Sequence, residues 1–302
     1  MWNLCSVNGT QRMKFINRTV ELSRRGFLRR SVIASSALAA AHWPGGARAA
    51  VTKPEKDPCQ GLKLGLTSYT LRNFTLDQAI AMTQDAGVKY ISLKDVHLPL
   101  NSGAEERKAA HAKIEAAGLR LMGGGVIYLK NDEPEIRQAF EYARDAGMPT
   151  MICSPEPDSL DTVERLAKEF QVRIAIHNHG ASDKKYPSPL DVLRLIKDRD
   201  PLMGICMDVG HTVDIGLDPV PIIEQCGSRL YDFHIKDVTK PNREAKTVEV
   251  GRGIIDMVAV LRTLVKIDYG YHLALEYEAN ADAPVPGMRE SFGYIKGVLG
   301  TI

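Results

Sequence analysis

Asp145-Ala146-Gly147-Met148-Pro149-Thr150-Met151-Ile152-Cys153-Ser154-Pro155-Glu156 (residues 145–156) contains, in succession, a helix end, an apolar strand and a polar strand terminus. The helical pattern stops at Gly147, because glycine takes the left-handed position after a helix without steric cost. Similar junctions occur at Asp85-Ala86-Gly87-Val88, Ala116-Ala117-Gly118-Leu119 and Asp268-Tyr269-Gly270-Tyr271, and each reads as a helix stopping at its glycine. Gly87, Gly118 and Gly147 lie 31 and 29 residues apart, about the length of one strand-plus-helix unit.

Helix starts fit the same period. Thr75-Leu76-Asp77-Gln78 is a capping box, Asp158-Ser159-Leu160-Asp161 opens another helix, and Ser188-Pro189-Leu190-Asp191 has Ser at the N-cap with Pro following. Apolar spacing predicts helices over 75–86 and 104–117. Short continuous apolar runs predict strands near 62–68, 88–94, 119–127, 149–154, 172–178, 203–208, 230–236 and 271–277. Runs buried on both faces mark a parallel sheet covered by helices. Eight strands alternating with helices give an α/β fold, a closed (β/α)8 TIM barrel, with function at the C-terminal strand ends. An open doubly wound sheet is the competing fold. It is disfavoured because no GxGxxG follows the first strand and the polar clusters are spread over many strands.

Those clusters carry the chemistry: Ser154-Pro155-Glu156, His177-Asn178-His179, Asp208-Val209-Gly210-His211, His234-Ile235-Lys236-Asp237 and Glu276-Tyr277-Glu278. Parallel neighbours would bring His, Asp, His and Glu to one point, a donor set suited to a divalent metal such as Mn, Co or Zn. Asp208 directly follows a buried run, a costly place for an unpaired carboxylate, and ligation is preferred there over a helix cap. His234 and Lys236 share strand parity, as do Glu276 and Glu278, and also His177 and His179, of which one binds metal and the other substrate. Lys94 and Glu156 end strands and are candidates for substrate or acid–base contact. Gly123-Gly124-Gly125 reads as a bend or a close backbone approach.

The chain has 302 residues, with 39 Lys and Arg against 37 Asp and Glu, a balance that argues against nucleic acid as partner. Ser23-Arg24-Arg25-Gly26-Phe27-Leu28 is a twin-arginine motif, followed by an Ala/Ser-rich stretch from Ser31 to Ala41 and an Ala47-Arg48-Ala49 cleavage site. That stretch is about half the length of a membrane span, so no stable membrane anchor is expected. The organisation is therefore a signal peptide over 1–49, a flexible lead-in over 50–61 and one barrel over 62–302. The expected partner is the twin-arginine export machinery and the expected location periplasmic or otherwise exported by that pathway. Folding and metal loading before export would shield the site from tighter-binding metals outside. Cys59, Cys153, Cys206 and Cys226 show no regular spacing and are expected as free thiols. Oligomeric state is open, a homo-oligomer included.

The motifs Met207-Asp208-Val209-Gly210-His211, Asp232-Phe233-His234-Ile235-Lys236-Asp237, Gly251-Arg252-Gly253-Ile254-Ile255-Asp256 and Leu275-Glu276-Tyr277-Glu278 resemble those of the xylose isomerase-like barrels, the sugar isomerase/epimerase and AP endonuclease superfamily. The resemblance covers residues 62–300 and implies a metal on Asp208, His234 and Glu276. The fourth family ligand is a Glu after the fifth strand, and His177 stands at that position. Since family epimerases work with a pair of glutamates, this departure argues against simple two-carboxylate epimerisation. Ser92-Leu93-Lys94-Asp95-Val96-His97 and Ile176-His177-Asn178-His179 resemble exported members thought to act on keto-sugars or glycosides, which implies elimination across a 3-keto-glucoside ahead of phosphate-sugar isomerisation, with isomerisation, epimerisation and elimination all left open. The export signal also favours an unphosphorylated sugar.

The expected chemistry is removal of a proton beside a carbonyl, with the metal stabilising the enediolate. Glu156, His179 and Glu276 are the candidate bases. Lys236, Lys94 and His211 are candidates to orient hydroxyls or protonate a leaving oxygen, and His97 and Arg252 complete the substrate-binding set. Two rivals stand beside this sugar isomerase, epimerase or lyase. A metallo-phosphoesterase of the AP endonuclease type would need further ligands, for which His97 is the obvious extra, and a non-catalytic sugar-binding barrel would need no acid or base.

Overall fold

In the computed structural model, residues 57–302 are described. The expected signal peptide and residues 50–56 of the lead-in lie outside the described residues. Eight parallel strands close into a barrel: β1 (Lys63–Thr67), β2 (Tyr90–Leu93), β3 (Arg120–Leu129), β4 (Thr150–Pro155), β5 (Arg173–His177), β6 (Met203–Asp208), β7 (Leu230–Ile235) and, after a short antiparallel pair β8 (Asp237–Val238) and β9 (Thr247–Val248), β10 (His272–Leu275). β10 pairs with both β1 and β7, so no edge is left open.

Helices α1 (Leu76–Asp85), α2 (Ala104–Ala116), α3 (Glu133–Asp145), α4 (Leu160–Phe170), α5 (Pro189–Ile196), α6 (Val209–Asp214), α7 (Pro219–Cys226), α8 (Met257–Lys266) and α9 (Val285–Leu299) connect the strands. The capping boxes at Thr75–Gln78 and Ser188–Asp191 both form. Gly87, Gly118 and Gly147 take φ values of +73°, +71° and +67°, as the repeated junction requires. The fourth junction differs from expectation. α8 ends two residues earlier, so the left-handed position falls on Asp268 (φ +53°) and not on Gly270. Asp tolerates that conformation better than most residues with a Cβ.

Alternate strand residues enter different cores, which is why the strands read as continuous apolar runs. Ile174, Ile176, Ile205, Met207, Phe233, Ile235, Leu273 and Leu275 join the large cluster shared with helix residues such as Leu166, Val192 and Leu261. Ala175 and Cys206 join a small separate cluster with Ile152 and Tyr231. Register stacks the inward positions in layers. His177 pairs with Cys206, Cys206 with Asp232 and Asp232 with His272, while Asp208 pairs with His234 one step nearer the C-terminal mouth. Cys59, Cys153, Cys206 and Cys226 are free thiols. Among the described residues, no helix is long and apolar enough to cross a membrane.

Candidate metal centre

Four strand ends converge at the mouth. Asp208 is the last residue of β6 and also the N-cap of α6: its Oδ1 accepts from the backbone N–H of His211 at 2.9 Å. The capping role and the candidate ligand role are thus divided between its two oxygens, because Oδ2 takes no part in the cap and faces His177, His234 and Lys236. Asn178, fully buried beside it, accepts from Asp208 N at 2.9 Å and ties the end of β5 to the end of β6.

His177 Nε2 lies 3.1 Å from His234 Nδ1, and Asp208 Oδ2 lies 3.9 Å from both nitrogens. Glu276 Oε2 is 3.6 Å from His234 Nδ1. One atom from each of His177, Asp208, His234 and Glu276 can be chosen so that all fall within 4.8 Å of one another. This is the ligand set expected from the strand ends, and of the two histidines at the end of β5 it is His177 that belongs to it.

Two imidazoles and two carboxylates, all buried and converging on one point, are a donor set that fits a divalent cation. On its far side His234 turns Nε2 toward Asp232 Oδ1 at 3.5 Å, so a buried carboxylate stands behind the ring, where the carboxylate partner of a metal-binding imidazole would stand. Asp232 was not among the sequence candidates. It lies inside an apolar run, and its parity with His234 is the one signal that could have found it.

Lys236 is the charge at the centre. Its Nζ lies 3.1 Å from Asp208 Oδ2, 2.7 Å from Glu276 Oε2 and 2.5 Å from Glu278 Oε1. Burial opposes its charge, but these carboxylates hold its pKa well above the usual lysine value. Burial would raise Asp208 and Glu276, yet Lys236 together with His234 holds both well below the usual carboxylate range. Burial would likewise lower His234, and Glu276, Asp232 and Asp208 raise it to about 9. His177 goes the other way: burial and the neighbouring His234 push it well down.

Two adjoining lobes open above these residues. The first, 260 Å³, is lined by Tyr69, Lys94, Tyr128, His177 and Glu276 among others. The second, 330 Å³, lies toward the β8–β9 hairpin, and His179, His211 and Glu278 line both. His179 Nδ1 faces Asp183 Oδ2 at 3.2 Å, and its Nε2 meets the Tyr128 hydroxyl at 3.3 Å. Burial and His211 keep its pKa below the ordinary histidine value, so the ring is neutral at neutral pH. Tyr128, 65 % exposed, stacks on the His179 ring at 5.9 Å. Neither Tyr128 nor Asp183 was anticipated, since neither lies in a polar cluster.

Lys94, His179, His211, Lys236 and Glu276 therefore stand where expected, at the mouth. Lys94 donates to Val126 O at 3.2 Å and lies 3.0 Å from Asp95. Three residues do not reach the lobes. His97 is buried with Nδ1 2.9 Å from Ser68 Oγ and Nε2 3.2 Å from Leu71 O, so both ring nitrogens are occupied in holding the first two strand ends together. It supplies neither the substrate contact nor the extra ligand of a multinuclear site. Glu156 is turned to Lys185 at 3.0 Å and lines neither lobe. Arg252 is exposed and pairs with Glu290. Its motif works through backbone: Gly251 and Gly253 N–H groups each donate to Asp237 Oδ2 at 2.9 Å, and a Cβ on Gly253 would run into that carboxylate.

Residues 80–298 match the model of the family described as xylose isomerase-like TIM barrel. The chain belongs to that family. Among relatives of this xylose isomerase-like barrel is an inosose dehydratase from Geobacillus kaustophilus, 24 % identical over 192 residues, which are 58 % of each chain. The rhizopine catabolism protein MocC of Rhizobium meliloti is 29 % identical over 142 residues, 42 % of each chain. The matches thus span little more than half the length of these relatives at most. Solved structures of similar fold include the 3-keto-D-glucoside 4-epimerase YcjR of E. coli, with TM-score 0.64, 16 % identity and coverage of 78 % of this chain and 99 % of that one. An L-ribulose 3-epimerase has TM-score 0.66 and 16 % identity, covering 80 % and 95 %.

Proposed function

We propose that this barrel is a divalent-metal-dependent sugar isomerase, epimerase or lyase acting on an unphosphorylated keto-sugar or 3-keto-glycoside through removal of the proton beside the carbonyl. The observation that carries the reading is the convergence of His177, Asp208, His234 and Glu276 beside a cavity-facing His179. Its relatives by sequence include dehydratases and its structural neighbours include epimerases, which supports the same class.

The metal, Mn, Co or Zn, would be held by those four residues, and when bound it supplies Lewis acidity toward the carbonyl and the enediolate charge that follows. His179 Nε2 takes the proton, with Asp183 behind Nδ1 to orient the ring. Lys94 and His211 face the same lobe and orient hydroxyls. Lys236, saturated by three carboxylates, balances charge and is a poor proton donor, which leaves His211 to protonate a departing oxygen. His177 in place of a second mouth carboxylate favours collapse by elimination over return of the proton to the opposite face. Export by the twin-arginine route, with action on sugars in the periplasm, belongs to the same proposal.

Mature protein purified without chelator should carry about one equivalent of metal by elemental mass spectrometry. In D2O it should then exchange deuterium into, or eliminate from, a 3-keto-glucoside. Metal-loaded protein that neither exchanges nor converts any member of a keto-sugar panel would overturn the reading.

A further inference from the structure

The second lobe is not required by proton abstraction. The metal-side lobe, at 260 Å³, is already lined by the candidate base His179 and by the candidate ligands His177 and Glu276, and it falls just below the range of about 300–1,000 Å³ typical of small-molecule sites. It has room for one sugar ring. The second lobe, 330 Å³, adjoins it through the shared walls His179, His211 and Glu278.

Its remaining wall is built by an insertion. β8 and β9 form a hairpin between β7 and α8, and Asn242, Arg243, Ala245 and Thr247 of that hairpin line the lobe opposite Ser182 and Asp214. The wall is tied down: Arg243 donates to Ala181 O, Ala181 N donates to Asp214 Oδ2 at 3.3 Å, and Ser182 Oγ donates to His179 O at 3.1 Å. Loops at the C-terminal face of a barrel are where substrate choice resides.

The lining is polar but electrically balanced. Lys236 reaches the lobe with its charge already matched by Asp208, Glu276 and Glu278, and the Arg243 guanidinium stands in a wall that also holds Asp214. An anionic group such as a phosphate would find no uncommitted pair of cations there. A hydroxylated, uncharged group would find hydroxyl, amide and carboxylate partners with the apolar Ala245 and Val238 between them.

We propose that the second lobe is a subsite for an uncharged second sugar ring, so that the substrate is a disaccharide-like glycoside with its reacting ring on the metal side and its other ring against the β8–β9 hairpin. The assignment rests on the sugar-acting reading above and narrows it. In the elimination case the ring in this lobe leaves as an alcohol: the carbon–oxygen bond to it breaks, its oxygen takes a proton from His211, and the proton lost from carbon stays on His179.

The test is calorimetry on the metal-loaded mature chain with glucose, maltose, cellobiose and glucose 6-phosphate. At least one disaccharide should bind tenfold or more tighter than glucose. That preference should collapse in Ala245→Trp, which fills the lobe, and fall at least fivefold in Asn242→Ala/Arg243→Ala, which keeps the wall small should the Trp variant misfold. Equal binding of glucose and both disaccharides, tighter binding of glucose 6-phosphate, a preference that survives the variants, or no binding by any probe would each overturn the subsite. Failure of the catalytic reading is separable, because it would show as absent exchange and turnover with the keto forms while the disaccharide preference stood.

Discussion

Asp232 Oδ1 lies 3.5 Å behind His234 Nε2, so the imidazole that faces the converging ligands is held from the opposite side by a fully buried carboxylate. Such outer-shell partners typically contribute about 10–100-fold to metal affinity. Asp232→Asn keeps the shape and lowers the negative charge, and Mn or Zn binding by calorimetry should weaken within that range. Unchanged affinity would show that barrel packing alone positions His234. Asp232 also faces His272 Nδ1 at 3.5 Å and accepts from Cys206 Sγ at 3.6 Å, so Asp232→Leu would remove the buried negative charge beside His234 and His272 together with the acceptor of Cys206 and should cost more stability than the Asn change.

Asp208→Asn separates the two duties of that residue. Asn caps helices as well as Asp, so the bond to His211 N persists and thermal stability should shift little. The Oδ2 charge between His177, His234 and Lys236 is lost, however, and with it the metal. Elemental analysis should find the variant empty and proton exchange at background. A variant that retains metal and full exchange would remove Asp208 from the ligand set.

The strand positions were legible because a parallel barrel buries both faces, and the convergence of His177, Asp208, His234 and Glu276 because polarity can return only where a strand reaches the mouth. What escaped was polarity placed against that rule. Asp232 and His272 sit inside apolar runs, where only strand parity distinguishes them. Arg252 entered the substrate-binding set as part of the Gly251–Asp256 motif, although that motif serves Asp237 through glycine N–H groups. His97 has the right residue type at a strand end but turns both nitrogens into the backbone and side chain of the first strand's loop. Contacts of this kind depend on which loops meet, information that local pattern does not carry.

Lys236 is 4 % exposed and stands between three carboxylates. Lys236→Met removes the one cation among the described residues that touches all three, leaving buried negative charge that His234 alone offsets only in part. Breaking a buried pair in this way costs about 3–5 kcal/mol. Chelator-treated K236M protein should unfold at distinctly lower denaturant, and added Mn or Zn should restore more stability to it than to wild type, because the metal now neutralises Asp208 and Glu276. Equal rescue of both proteins would show that lysine and metal do not share those oxygens.

The pH dependence of the chelator-treated protein follows from His234. Burial opposes its protonation, but Glu276, Asp232 and Asp208 raise it from an ordinary value near 6.5 to about 9. A basic group raised on folding stabilises fully below its unfolded pKa, and that contribution is lost as pH climbs through the folded value. The metal-free protein should therefore lose thermal stability between pH 6.5 and 9. A metal must displace the same proton, so its affinity should rise with pH across this window and the loaded protein should hold or gain stability there. Melting curves with and without Mn at half-unit pH steps read both slopes. Parallel slopes would mean that His234 is not the ligand that gives up the proton.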